Sequence, residues 1–267
     1  MPALTSHKIC RDTDASWWEL RVSTNSSDCY RPHTHDEYSI GIVDAGTAVF
    51  QHPEGPTGIG PGAVVLIEPH VVHCCNPSDL QRWTYRMLFL RADWLHDAMS
   101  RHWGITVSRL EFLTRCTTDP AVEMAVHSLC LASADMSQRL AAELPPLLAT
   151  LAGPAGVRAN VAVPPELWPA EPLLRHEGGA EPSVKALAEA CGMTPSRFIR
   201  LFHKHYGMTP GDYLQNRRLN EARSLLGQGM SISEAAFAMG FADQAHLQRT
   251  FKARHAMTPG HYRAPRR

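Results

Sequence analysis

The segment FIRLFHKHYGMTPGDYL, residues 198–214, has a second version in LQRTFKARHAMTPGHYR, residues 247–263. The two versions start 49 positions apart, and both carry Met-Thr-Pro-Gly followed two residues later by a tyrosine. In each version apolar residues recur at spacings of three and four, which is typical of an amphipathic helix. A chain that carries such a segment twice is predicted to contain two copies of one helical unit.

Threonine and serine positions mark where the helices of this region start. Thr-Pro pairs occur at residues 194–195, 209–210 and 258–259. Threonine can accept a hydrogen bond from a free N–H group of the first helical turn, and proline at the first helical position loses no useful donor. Ser183 and Ser231 precede two further helical segments, VKALAEACG and ISEAAFAMG. Five helix starts are therefore predicted.

Each copy consists of a capped helix, a short turn with Gly192 or Gly240, and a second amphipathic helix. This is the plan of a helix-turn-helix unit, whose second helix enters the major groove of DNA. The connecting segment from Pro210 to Leu226 has the pattern of a helix about 25 Å long. A rigid spacer of that length would hold two recognition helices near the separation of successive major grooves, about 34 Å.

The outward faces of the two recognition helices are polar and cationic. Arginine pairs with guanine and glutamine with adenine, so four residues suit contacts with bases: Arg200, Gln244, Gln248 and Arg249. Four more suit contacts with phosphates: His203, Lys204, Lys252 and Arg254. The alternative, an ordinary solvated face, applies to any single residue but explains the duplicated pattern poorly.

The charge of the chain is divided unequally between its two ends. From residue 175 onward there are 14 Lys and Arg against 7 Asp and Glu, which leaves 12 and 19 of the 26 of each type in the rest. A basic C-terminal unit beside an acidic N-terminal one predicts that only one end meets a polyanion.

No apolar run long enough for a membrane span and no secretion signal occur. Seven cysteines without a CxxC pair fit reduced thiols, so a cytoplasmic protein is expected.

The N-terminal part has the sequence pattern of a β-barrel or sandwich. The runs YSIGIV, TAVF, AVVLIE and YRMLFL alternate with Gly/Pro punctuation, and residues 92–151 change to helical spacing. Residues 153–182 are rich in Pro and Gly, which break helices and strands. We predict an α+β protein of two domains, with an N-terminal domain at residues 1–152, a linker at 153–172 and an all-α domain with two helix-turn-helix units at 173–267.

The repeated segments resemble the DNA-binding domain of the AraC/XylS family of bacterial transcription regulators, and RPHTHDEYSIGIVDAGTAVF with GPGAVVLIEPHVVHCCNP resembles the family's cupin-like N-terminal barrel. The resemblance implies an activator that senses a small molecule in the barrel and dimerises through the helices that follow it. Its implied partners are double-stranded promoter DNA and RNA polymerase, in the bacterial cytoplasm at the nucleoid. By position it adds Ser196, Ile199 and Ala245 to the base-contacting set. Pro169 and Pro172 depart from the family's smooth helix.

Whether the barrel also holds a metal is a separate question. His33 and His35 lie two residues apart in an expected strand, and His73 arrives from a neighbouring one, with Glu37 as an oxygen ligand. Such a set would hold a divalent transition metal, although no cofactor is required. Cys74 and Cys75 add a soft ligand or a redox-sensitive thiol. Histidines with structural roles, a metal- or thiol-sensing regulator and a cupin metalloenzyme remain open as alternatives.

Overall fold

An antiparallel β structure precedes a series of helices along the chain, in a computed structural model that describes residues 5–12, 14–78, 82–154, 163–175 and 181–263. The strands are β1 (Ser6–Arg11), β2 (Trp18–Ser26), β3 (Tyr38–Ala45), β4 (Ala48–Gln51), β5 (Thr57–Ile59), β6 (Val64–Ile67), β7 (Cys74–Pro77), β8 (Trp83–Leu90), β9 (Leu110–Phe112), β10 (Cys116–Thr117) and β11 (Ala152–Pro154). The four runs with strand character in the sequence correspond to β3, β4, β6 and β8, so these predictions are confirmed.

Two sheets build the barrel. The larger has the order β1-β2-β8-β3-β6-β10, and the smaller has the order β5-β4-β7. A third, two-stranded sheet joins β9 to β11. Successive side chains of a strand point to opposite faces, so odd-numbered residues of β8 face one way. Trp83 and Tyr85 therefore join the apolar cluster between the sheets, whereas Leu88 and Leu90 join the cluster on the other face.

Three helices cover that other face: α1 (Ala92–Trp103), α2 (Pro120–Leu129) and α3 (Met136–Leu151). The helical character predicted for residues 92–151 is confirmed in these three helices, whereas the short strands β9 and β10 interrupt it between α1 and α2. Leu140, Leu144 and Leu148 of α3 recur at a spacing of four and are fully buried, which is the stripe by which an amphipathic helix packs. They form one core with Leu20 and Ile40 of the sheet.

The region predicted to be a linker is partly helical. A 3-10 helix spans Pro165–Ala170 and α4 spans Glu171–Arg175, whereas residues 155–162 lie outside the described residues. Leu167 and Leu174 are buried in the core of the first helix-turn-helix unit. The prolines therefore shorten the helices here without preventing this segment from packing.

The C-terminal helices are α5 (Val184–Ala190), α6 (Pro195–Tyr206), α7 (Pro210–Gly227), α8 (Ile232–Ala238), α9 (Gln244–His255) and α10 (Pro259–Arg263). All five predicted helix starts are confirmed. Thr194, Thr209, Ser183 and Ser231 cap their helices by accepting a backbone N–H bond from the first turn, and Thr258 accepts the corresponding bond from the N–H of His261.

Each helix-turn-helix unit has its own core, and α7 connects the two. Phe198 and Phe202 of α6 are fully buried in the first unit, as Leu247 and Phe251 of α9 are in the second. Gly192 and Gly240, at φ 61° and 66°, make the turns between the paired helices; a side chain would strain the backbone in that region. The 18 residues of α7 extend about 27 Å.

Candidate DNA-binding surface and interdomain cavity

The predicted recognition helices, α6 and α9, carry exposed polar and cationic faces. Nine of the eleven residues predicted to contact DNA are exposed: Ser196, Ile199, Arg200, His203, Lys204, Gln244, Ala245, Arg249 and Lys252. Gln248 is partly buried. The two helices belong to separate cores.

Arg254 does not have the position expected of a phosphate contact. Only 2% of it is exposed; its Nη1 donates to Gln215 at 2.9 Å and its Nη2 to Asp212 at 3.3 Å. The prediction was wrong because Arg254 follows the inward-facing Thr250 by four residues, which places both on one face of the helix.

The barrel contacts α9 beside its exposed face. The backbone N–H of Arg31 donates to the carbonyl of Ala253 at 3.0 Å. A shallow groove between the barrel and the second helix-turn-helix unit is lined by Asp28, Cys29, Gln248, Arg249, Lys252, Ala253, Ala256 and Thr258. The predicted DNA-contacting residues of α9 thus border a loop of the barrel.

Side chains of α7 hold the two domains together. Nη2 of Arg223 donates to both carboxylate oxygens of Glu37 at 2.5 Å. Asn216 and Asn220 each donate to the backbone carbonyl of Thr34 at 3.0 Å. Arg223 and both asparagines are buried, so the barrel covers this face of the DNA-binding unit.

A second set of contacts surrounds Glu19 of β2. Its carboxylate accepts bonds from Arg11 at 2.6 Å, Arg21 at 2.5 Å and the hydroxyl of Tyr262 at 3.0 Å. Burial raises the pKa of Glu19, but Arg21, Arg11 and Arg223 outweigh it and hold the pKa at about 2. Glu19 therefore stays ionised and ties β2 to α10.

Between these contacts lies a cavity with walls from both domains. The barrel contributes Arg21, Ser23, Tyr30, His33, His35, Ser39, His73, Cys75, Trp83, Tyr85, Met87 and Phe89, and the helical unit contributes Arg223, Arg254, His255 and Met257. Its volume is about 50 Å³. Two of the four residues from the helical unit, Arg254 and His255, lie in the last turn of α9.

The structure brings His33, His35 and His73 together at this cavity. The ring centres of His33 and His35 lie 4.5 and 4.8 Å from that of His73. His33 forms an isolated antiparallel bridge with His73 rather than belonging to a strand, which corrects the expected setting. Each Nδ1 faces a backbone carbonyl, that of Arg31, Glu37 or Val71. A carbonyl only accepts, so Nδ1 carries the proton. Nε2 of His35 in turn accepts a hydrogen bond from the hydroxyl of Ser39 at 3.1 Å.

Burial keeps these imidazoles neutral. It lowers the pKa of His73 to about 4 and the pKa values of His33 and His35 well below their usual range, with further lowering from neighbouring imidazoles and arginines. The pKa of His255 is also lowered well below its usual range, first by burial and then by the nearby Arg21 and Arg223.

The remaining candidates in the barrel have different surroundings. Glu37 bonds Arg223. Cys74 and Cys75 are buried, and burial raises the pKa of both thiols, which disfavours the reactive thiolate. Within the described ranges, no group of three or more His, Cys, Asp or Glu side chains is placed to hold a metal ion. No helix in the described part of the chain is long and apolar enough to cross a membrane.

Comparison with known proteins matches both halves of the chain. A family model described as an AraC-like ligand binding domain covers residues 22–149, and one described as a helix-turn-helix domain covers residues 187–265. The chain belongs to the AraC family of transcription regulators. It is therefore a DNA-binding regulator with an N-terminal ligand-binding domain and not a cupin enzyme.

Individual relatives of this AraC-family chain extend over both domains. The uncharacterised regulator YbfI of Bacillus subtilis is 26% identical over 80% of each chain. The transcriptional activator RhaS of an Enterobacter species is 26% identical over 88% of this chain and 87% of its own. The crystal structure of unsaturated fatty acid-bound ToxT from Vibrio cholerae covers 93% of this chain and 95% of its own, with a TM-score of 0.56 at 11% identity. At that identity the likeness shows the fold alone.

The basic side chains of the cavity that were not predicted to line it are Arg21, Arg223, Arg254 and His255. Arg21 has a local signal, because it lies between the apolar Leu20 and Val22 of β2 and shares a face with Ser23. The other three belong to helices whose apolar pattern predicts only which face is buried. The barrel that covers this face is almost 200 residues away in sequence, so the pattern does not identify it.

Proposed function

We propose that this regulator binds two adjacent major grooves of promoter DNA through α6 and α9, and that the interdomain cavity is its effector site. One observation carries the proposal: a single helix, α9, has Arg249 and Lys252 on its exposed face and Arg254 and His255 in the wall of the cavity. A ligand that moves the last turn of α9 also moves its DNA-contacting residues. Such coupling requires the ligand to bind the two domain arrangements with different affinity.

The structural neighbour ToxT, which was crystallised with a ligand, supports a small-molecule effector for this chain. ToxT is described with an unsaturated fatty acid bound, and RhaS is named an activator. We therefore propose that this chain is also an activator, that it contacts RNA polymerase, and that it is located in the cytoplasm at the nucleoid. A homodimer is part of the proposal, and exposed apolar residues at and near α2, such as Met124 at 72% and Leu131 at 44%, suit it.

Selection of bound sequences from a random DNA library tests the regulator function. We expect a site with two recognition elements about 10 base pairs apart. Arg200→Ala should relax specificity in one element and Arg249→Ala in the other, because each arginine contacts a different groove. Failure of the full-length protein to enrich any sequence at low salt, with and without cell extract as a source of effector, would exclude the function.

Metal sensing through the histidines is a second candidate, favoured by one observation. His33, His35 and His73 each donate from Nδ1 to a backbone carbonyl, as imidazoles that bind metals through Nε2 do. Glu37, the fourth candidate ligand, is held by Arg223. Elemental analysis of gently purified protein separates the candidates, since a metal site predicts about one transition metal per chain that His33→Ala removes.

A further inference from the structure

The two recognition helices have the same register. Both α6 and α9 are 12 residues long. Their capping residues, Thr194 and Asp243, each accept a backbone N–H bond from the third residue that follows. Both helices end at a residue in the left-handed region, Gly207 at φ 72° and Ala256 at φ 55°. The caps and the ends are each 49 positions apart, so every residue of α6 has a counterpart at the same place in α9.

The buried faces of the two helices agree at these paired positions. Phe198 corresponds to Leu247 and Phe202 to Phe251, and all four side chains are completely buried. The same side of the helix therefore faces the core in both units. Residues at the other paired positions occupy equivalent points of the two exposed faces, so their chemistry can be compared directly.

The exposed faces of the two helices agree at one position and differ at the next. Arg200 corresponds to Arg249, and both are exposed. The residue before each arginine is Ile199 in α6 but Gln248 in α9. Glutamine can pair with adenine through its amide, whereas the side chain of isoleucine has neither a donor nor an acceptor. The two units therefore share a residue that suits guanine and differ in the chemistry of its neighbour.

Ile199 is an apolar side chain on the polar face of α6. Its exposed fraction is 37%, and within the described part of the first unit the residues that form or border the core do not include it. Ser196 and His203 are exposed on the same face, one helical turn to either side. Single exposed apolar residues are common on protein surfaces. The place of Ile199, next to an arginine that suits guanine, is what gives it a role.

Thymine is the base whose edge in the major groove carries an apolar group, its C5-methyl. The other three bases are marked there by hydrogen-bonding atoms. An isoleucine that covers such atoms removes their water without supplying a partner, which is unfavourable. Against thymine the same side chain buries a methyl group and gains hydrophobic stabilisation. An isoleucine on a base-contacting face thus favours an A·T base pair, contacted at its thymine.

We propose that Ile199 selects an A·T base pair by contacting the methyl group of its thymine, beside the guanine that pairs with Arg200. In the second unit Gln248 selects the corresponding A·T pair through its adenine, beside the guanine that pairs with Arg249. The two elements of the DNA site then have related sequences that are recognised through different chemical groups. This inference rests on the proposed function, because it names the bases that the same surface selects.

Titration of the full-length protein with base analogues in the selected duplex tests the proposal. Uracil in place of thymine removes only the methyl group, and 7-deazaadenine in place of adenine removes only the N7 acceptor. In the element that Arg200→Ala assigns to α6, we expect uracil beside the guanine to weaken binding about fourfold and 7-deazaadenine to change it less than about twofold. In the element assigned to α9 we expect the reverse, with a loss of about fivefold from 7-deazaadenine.

Two outcomes of this titration overturn the proposal. The first is an α6 element that accepts uracil without loss of affinity, because no methyl group would then be contacted. The second is an equal response of the two elements to both analogues, because the two helices would then recognise the same chemical groups.

Exchange of the two residues locates the contact. Ile199→Gln gives α6 the residue of α9, and we expect it to abolish the uracil effect in the first element and to create a 7-deazaadenine effect there. Gln248→Ile should do the opposite in the second element. Ile199→Val keeps a branched apolar side chain and should retain the uracil effect.

The matched control is Ile105→Gln, which replaces a 50% exposed isoleucine outside both recognition helices. It should leave both analogue effects unchanged. A uracil effect that survives in Ile199→Gln means that another residue contacts the methyl group, and this result overturns the assignment.

The selection experiment separates this inference from the proposed function. Failure to enrich any sequence overturns the regulator function and the inference that rests on it. Enrichment of a site with two elements, neither of which depends on a thymine methyl group, overturns the inference alone.

Discussion

Arg223 of α7 and Glu37 of the barrel form an ion pair across the domain interface, with Nη2 at 2.5 Å from both carboxylate oxygens. Burial opposes the charge of Arg223, but Glu37, Tyr262 and Glu19 together outweigh it and raise the pKa of the guanidinium. The side chain of Arg223 is 5% exposed and that of Glu37 is 23% exposed. The arginine thus depends on this carboxylate to be tolerated inside the interface.

Glu37→Gln should weaken the contact between the domains. Removing one partner of a buried pair costs about 3–5 kcal/mol; because Glu37 is partly exposed, we expect about 2 kcal/mol in the free energy of unfolding. Chemical denaturation with a fluorescence probe in each domain measures it. The control is Glu189→Gln, which breaks an exposed pair with Lys185 and should change stability by less than about 0.5 kcal/mol. Equal effects of the two substitutions would contradict the interface.

The capping residues and the interface show what the sequence could and could not predict. Thr194 and Ser231 act within three residues of their own positions, so local chemistry identifies the helix starts. Arg223 and Glu37 are 186 residues apart, and no local pattern connects them. Arg254 illustrates the same limit, since its spacing fits an inward face but its residue type indicated DNA. The positions of β3 and β8 were predictable because alternation is also a local property.

The reactivity of the cysteine thiols should depend on how exposed each side chain is. Cys29 is exposed, whereas Cys74 and Cys75 are buried with raised pKa values. We expect a maleimide to label Cys29 first and to leave Cys74 and Cys75 unlabelled until the protein unfolds. Because Cys29 borders the groove at Arg249, a bulky label there should also weaken DNA binding.

Mass spectrometry of briefly labelled protein identifies the modified cysteines. The matched control is Cys29→Ser, which should lose the fast labelling and keep its DNA affinity after treatment. Rapid modification of Cys75 in native protein would support the thiol-sensing alternative instead.

The interface should weaken as the pH falls below neutral. The pKa of His73 is about 4 in the folded protein, against a usual value of 6.5, and those of His33, His35 and His255 are also lowered. A lowered histidine pKa means that the unfolded chain binds protons more readily. The stabilisation is complete above about pH 6.5 and is lost as the pH falls from there toward 4. Arg21, Arg223 and Arg254 stay cationic throughout and add repulsion.

Denaturation between pH 7.5 and 5 measures this slope. His255→Phe should reduce the slope, because one proton-binding group disappears from the unfolded state without leaving a buried charge. The exposed His127, replaced by Phe, serves as the control and should leave the slope closer to that of the native protein. A stability that is flat over this range would contradict the neutral, buried histidines.

Arg249 and Lys252 should affect DNA binding in different ways, although both are exposed on α9. Arg249→Ala removes a contact to one base and should cost about 1–3 kcal/mol on the selected site while relaxing specificity there. Lys252→Ala removes a phosphate contact and should weaken selected and unrelated DNA about equally, with a salt-dependence slope smaller by about 1.

Titrations of selected and scrambled duplexes at several salt concentrations distinguish the two effects. Lys185→Ala removes a cation of the same domain, on a helix outside both recognition faces, and should change neither affinity nor slope appreciably. If Arg249→Ala weakens both duplexes equally and leaves the preferred base unchanged, then Arg249 contacts the DNA backbone. The base-contacting role would in that case pass to the neighbouring Gln244 and Gln248, because they are the remaining side chains of α9 that can pair with adenine.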